Sequence, residues 1–160
     1  VVAISCPFAL LPAWLLLVYI HGAVPNGPAI TLSALIIVWA ADIGAYFFGR
    51  RYGRVKLVPR ISPGKSWEGV LGGVSTAVVA ATAAGVALGV PLGAFISIAL
   101  AAVLISIVGD LTFSMFKRNV GIKDSGRLLP GHGGVLDRID SLAAAVPLFF
   151  IGLSAVGLLG

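Results

Sequence analysis

Apolar residues along the chain fall into five long runs, separated by short stretches where polar residues and glycine or proline concentrate. The runs cover about residues 1–20, 30–49, 67–88, 92–113 and 139–159. Each approaches the roughly 20 residues that a helix needs to cross about 30 Å of hydrocarbon. The pattern therefore predicts an all-α, polytopic integral membrane protein forming a single membrane domain of about five transmembrane helices. Runs of small residues inside the spans, such as Ala77 to Ala84, suit the close helix packing that lipid favours.

Composition strengthens this picture. Of 160 residues, 59% are hydrophobic and 11% charged, against about 25% charged in soluble domains. The mean hydropathy is +1.08. A soluble domain of this size would leave too much apolar surface in water. The single cysteine, Cys6, excludes an internal disulfide and reads as a small packed residue. The first run has no basic leader or cleavage site, so a signal peptide is not expected. The start at Val1 without methionine points to a piece of a longer protein.

Charge then gives the spans a direction. All eleven Lys and Arg residues lie in two connections, about 50–66 and 114–138. The first holds Arg50, Arg51, Arg54, Lys56, Arg60 and Lys65, and the second holds Lys117, Arg118, Lys123, Arg127 and Arg138. Two spans separate these connections, so they share one side, and short basic loops stay in the cytoplasm. The net charge of +5 is thus expected to meet anionic lipid or phosphate, with no nucleic-acid partner. Arg50, Arg51, Arg54 and Lys56 read equally well as purely topogenic charges.

The six acidic residues crowd the same half of the chain's cross-section. Asp42 and Asp110 sit about a third of the way into their spans. An aspartate in lipid costs about 2.5–3.5 kcal/mol on insertion scales and needs a partner. No Lys or Arg is expected at the depth of either. A shared cation is one solution; protonation, or a hydrogen bond to Ser, Thr or Trp, is the other. Asp110, Ser114 and Lys117 fall at i, i+4 and i+7 and share a helix face. Asp137 and Asp140 stand one turn apart with Ser141 beside them, where a divalent cation would offset their repulsion, although Asp137 could simply cap the helix. Hard oxygen donors suit Mg²⁺, which binds readily alongside phosphates. Between these helices, Gly131-His132-Gly133-Gly134 exposes backbone amides to an anion. His132 is a candidate base, or a structural hydrogen-bonding residue.

These residues resemble a known family. Ser114-Met115-Phe116-Lys117-Arg118, then Lys123-Asp124-Ser125-Gly126, then Leu129-Pro130-Gly131-His132-Gly133-Gly134-Val135-Leu136-Asp137-Arg138-Ile139-Asp140 is similar to the signature of phosphatidate cytidylyltransferases, or CDP-diacylglycerol synthases. The blocks Asp42 to Arg50 and Ser62 to Gly69 resemble two further family segments, and the likeness runs from about Val38 to the end. It implies transfer of a cytidylyl group from CTP to phosphatidate by a Mg²⁺-dependent, homodimeric inner-membrane enzyme opening to the cytoplasm. A potassium ion beside the magnesium is also implied. Asp110 and Asp137 match the family's metal ligands, with Asp140 close by. Lys117, Lys123 and His132 become catalytic candidates. Ser114, Arg118, Asp124, Arg127, Gly133, Gly134, Arg138 and Lys65 become substrate-binding candidates. Two departures stand out: the family carries more helices before this region, and Phe113 stands where many bacterial members have Glu. An ion-coupled transporter and an inactive assembly subunit are the rival expectations.

Overall fold

A computed structural model describes residues 2–59, 61–119, 121 and 140–159. Among these residues five helices carry the fold: α1 (Val2–Ala23), α2 (Gly27–Tyr52), α3 (Trp67–Leu88), α4 (Leu92–Asn119) and α5 (Asp140–Ala155). Between α2 and α3 lies an antiparallel hairpin of β1 (Lys56–Val58) and β2 (Ser62–Ser66). Three helices, Gly27–Tyr52, Trp67–Leu88 and Leu92–Arg118, are long and apolar enough to cross a membrane; Leu10–Ala23 and Ser141–Ala155 are shorter apolar helical stretches.

The five expected helices are present; α1, α2 and α4 run past their expected ends, and α5 stops at Ala155, short of its own. α2 starts at Gly27, where Pro28 suits the first turn of a helix. It continues through Arg50 and Arg51 to Tyr52. α4 runs to Asn119, past the end of its apolar run. Hydrophobicity marks where lipid stops, whereas the backbone goes on forming helix through Ser114, Lys117 and Arg118. The hairpin replaces what the sequence pattern suggested was an open loop. Pro63 and Gly64 inside β2 disguise it, since both disfavour strands.

Small residues hold α2 against α3. Gly69, Gly73, Ala77, Ala81 and Gly85 recur every fourth position of α3 and are all buried. A Cβ at Gly73 would lie 2.7 Å from the Ala41 carbonyl oxygen, and one at Gly69 would lie 2.9 Å from that of Ala45. The Thr76 hydroxyl donates across the interface to the Ala40 carbonyl at 2.8 Å. Backbones this close are how helices gain dispersion contacts where lipid supplies no hydrophobic drive. On the other side, α4 meets α5 through an edge-on Phe95–Phe149 pair with centroids 5.8 Å apart. Ile20, Ile37, Phe95, Val103, Val146 and Leu153 are fully buried at the centre. Large apolar side chains also point outwards: Leu71 is 66% and Val79 70% exposed. Such an apolar exterior suits a protein solvated by lipid.

The α2–α3 contact yields a stability test. Gly73→Val is expected to push the helices apart and cost about 1–3 kcal/mol, the usual range for overpacking. Gly64→Ala meets nothing within 4 Å and is expected to leave stability unchanged. Denaturation of both variants in mixed micelles checks the contrast.

Candidate active site

At the hairpin end of the bundle, α2, α3, α4 and the hairpin enclose a cavity of about 790 Å³. That is within the roughly 300–1,000 Å³ of typical small-molecule sites. Its charged lining is Asp42 and Arg50 from α2, Lys56 and Lys65 from the hairpin, and Asp110 from α4. Tyr46, Ser62, Ser66 and Ser106 add hydroxyls.

Each wall has a local cause. Asp42, Tyr46 and Arg50 fall at i, i+4 and i+8 and stack along one face of α2. Arg50 Nη1 donates to the Tyr46 hydroxyl at 2.7 Å. Ser66 caps α3, its Oγ accepting from Gly69 N at 3.2 Å. The base of the hairpin is fastened to the same helix turn. Trp67 N donates to the Val55 carbonyl at 3.0 Å, and Val55 N donates to both Glu68 carboxylate oxygens, at 3.2 and 3.3 Å. The tip is held from α4, where Arg118 Nε donates to the Ile61 carbonyl at 3.4 Å. Lys65 stands one residue before the capping serine and so has little freedom to move along the chain.

That placement corrects one expectation. Asp110 does have a basic partner at its own depth, for Lys65 Nζ pairs with Asp110 Oδ2. The two side chains are 26% and 28% exposed, so water screens the pair only partly. A basic connection drawn as an open loop would leave Lys65 outside; the hairpin folds it back over the helix ends. Ser114 Oγ donates to the other oxygen, Asp110 Oδ1, at 3.4 Å. Asp42 takes the alternative partner: Ser141 Oγ on α5 donates to its Oδ2 at 3.0 Å. Asp42 also lies within Coulombic reach of Asp110 and Lys65.

Of the residues singled out from sequence, Asp110, Ser114 and Lys65 come together. Lys117 and Arg118 follow on α4, beyond the residues that line the cavity. Lys123, Asp124, Arg127, His132, Gly133, Gly134, Asp137 and Arg138 lie outside the described residues. Asp140 opens α5, and its side chain is outside them as well. Asp42, singled out from sequence as needing a partner, lines the cavity too, and Tyr46, Arg50, Lys56 and Ser106, which were not assigned to the site, join it. The signal for three of them was available in the fourfold spacing of Asp42, Tyr46 and Arg50. Lys56 and Ser106 carry no such mark. Asp42 and Asp110 supply carboxylate oxygens of the type Mg²⁺ takes, and among the described residues no group of three or more His, Cys, Asp or Glu side chains gathers to hold a metal ion.

A helical membrane protein with a charge-lined cavity at one end of its bundle is the class that fold and site define. The profile of the cytidylyltransferase family matches residues 1–156, and the chain belongs to that family. It is 60% identical over 151 residues to a phosphatidate cytidylyltransferase of Pseudomonas aeruginosa, covering 92% of this chain and 55% of the relative. It is 55% identical over 130 residues to one of Haemophilus influenzae, covering 78% and 45%. The chain spans about half the length of the curated relatives it matches. Among solved structures it is similar to one titled as an intramembrane enzyme for archaeal membrane lipids biosynthesis. The TM-score is 0.52 at 22% identity, over 82% of this chain and 85% of that one; the likeness is one of fold.

Proposed function

We propose that this protein transfers a cytidylyl group from CTP to phosphatidate, forming CDP-diacylglycerol and releasing pyrophosphate. The observation that carries the reading is the Lys65–Asp110 pair in a cavity lined by further cations at the end of lipid-solvated helices. A nucleotide triphosphate needs such cations, and a diacyl lipid needs such a location. Relatives named phosphatidate cytidylyltransferase add support.

The reaction is an in-line displacement. An oxygen of the phosphatidate phosphate attacks the α-phosphorus of CTP. The bond from that phosphorus to the oxygen bridging to the β-phosphate breaks, and pyrophosphate leaves with the electron pair. The nucleophile is already anionic, so general-base help contributes little, and catalysis rests on positioning and charge neutralisation. Arg50, Lys56 and Lys65 face the triphosphate, with Lys117, Arg118, Lys123 and Arg127 completing its counter-charge. Asp110 and Asp137, with Asp140 nearby, would hold Mg²⁺, accompanied by K⁺; bound there, the ion neutralises phosphate charge. Backbone amides at Gly133 and Gly134 receive a phosphate oxygen. Ser114 orients Asp110. Asp124, His132 and Arg138 contact substrate. The protein works in the bacterial inner membrane as a homodimer, with the cavity on the cytoplasmic side, in keeping with the confinement of all its Lys and Arg to two connections of the sequence.

The test is an assay of the purified protein in lipid nanodiscs containing phosphatidate, with labelled CTP. Label is expected in a chloroform-soluble product only when Mg²⁺ is present. Lipid left unlabelled with Mg²⁺ present would overturn the reading.

A further inference from the structure

We propose that Asp42 is a positioning residue, which fixes the start of α5 against the wall that carries Asp110. The inference rests on the reading of Asp110 and Asp137 as metal ligands, and it concerns a residue that this reading leaves without a task.

The Asp42–Ser141 hydrogen bond joins residues 99 positions apart. Its two ends differ in how firmly they are held. Asp42 belongs to α2, which is locked to α3 by the glycine contacts and by the Thr76–Ala40 hydrogen bond. Ser141 is 3% exposed and stands in the first turn of α5. It directly follows Asp140 and comes four residues after Asp137. Whatever holds Ser141 therefore also sets where this first turn begins. Asp42 lines the same cavity as Asp110, so a single carboxylate connects the α5 entry to the opposite wall. Lys65 lies within reach of Asp42 as well as being paired with Asp110. The Asp42 carboxyl keeps an oxygen that accepts from the buried hydroxyl. An outer partner that orients a metal ligand typically changes affinity by about 10–100-fold when lost.

The experiment separates a hydrogen-bonding role from a charge role. The variants are Asp42→Asn, Asp42→Ala, Ser141→Ala and the Asp42→Ala/Ser141→Ala double, each purified in nanodiscs. Mn²⁺ binding is measured by electron paramagnetic resonance without substrates, and the Mg²⁺ dependence of CTP turnover is measured alongside. Asparagine keeps an oxygen that accepts from Ser141. Asp42→Asn is therefore expected to stay within about twofold of the wild type in both measurements. Asp42→Ala and Ser141→Ala are each expected to weaken Mn²⁺ binding and raise half-saturating Mg²⁺ by about tenfold, and the double variant is expected to be no worse than either. Asp42→Asn as impaired as Asp42→Ala, with Ser141→Ala normal, would show that the charge acts directly and overturn the proposal. Additive losses in the double variant would overturn it too. Should Asp42→Ala not insert, the contrast between Asp42→Asn and Ser141→Ala decides the matter. Asp110→Asn runs in parallel: if it binds Mn²⁺ as the wild type does, the metal assignment itself has failed, independently of Asp42.

Discussion

Asp110→Asn is expected to lower kcat/KM for CDP-lipid formation by at least about 10²-fold, on the scale set by removing a preorganised electrostatic group. The substitution is nearly isosteric. It keeps an oxygen to accept from Ser114, and it removes the charge that Lys65 pairs with and that a divalent cation would need. The protein should still insert, because a neutral amide at this depth is less costly to lipid than a carboxylate. KM for phosphatidate should move little, since the acyl chains are held by lipid and apolar helix surface. Measuring kcat, both KM values and the Mg²⁺ dependence in nanodiscs checks this. A variant within about threefold of the wild type would remove Asp110 from the reaction.

Lys65→Met is expected to lower kcat/KM for CTP by about 10–10²-fold, a loss of roughly 1.4–2.8 kcal/mol in transition-state stabilisation. Two effects add in the same direction. The half-buried Asp110 loses its counter-charge and faces Asp42 across the cavity, and the phosphates lose one cation. Methionine keeps most of the length and apolar stem of lysine, so packing at the hairpin should survive. Lys65→Arg keeps the charge but replaces a compact ammonium with a planar fork, and an intermediate rate is expected. Steady-state kinetics over a range of CTP concentrations distinguishes the variants. Equal rates for the methionine variant and the wild type would show that the ion pair has no part in turnover.

Much of this architecture is readable in the chain because lipid simplifies the code. Apolar runs must become helices to satisfy their backbone, so five runs give five helices. Asp110 stands out because a carboxylate within such a run demands compensation, and its neighbours Ser114 and Lys117 mark the face that serves it. The hairpin escapes this logic. Its strands are short, lie outside the lipid, and include Pro63 and Gly64. Their pairing comes from contacts at either end: Glu68 and Ser66 at the base, and Arg118 of a later helix at the tip. Lys65 was legible as a basic residue near phosphate but not as the partner of Asp110, because the fold that brings them together lies in that hairpin. Asp42 was legible as a residue in need of a partner. Ser141, which supplies it, sits three helices later and 99 positions along the chain, and no local periodicity connects the two.

The Asp42–Ser141 bond also bears on how the chain is made. A ribosome delivers α2 to the membrane 99 residues before it delivers the hydroxyl that Asp42 finally meets, whereas Lys65 is already synthesised when Asp110 follows it. The two carboxylates thus enter lipid under different conditions: one arrives after its cation, the other well ahead of its hydroxyl. Through that interval α3 and the hairpin, the next elements to emerge, are what stand beside Asp42. A nascent chain halted before α5 would hold the wall of the cavity without the bond that closes it.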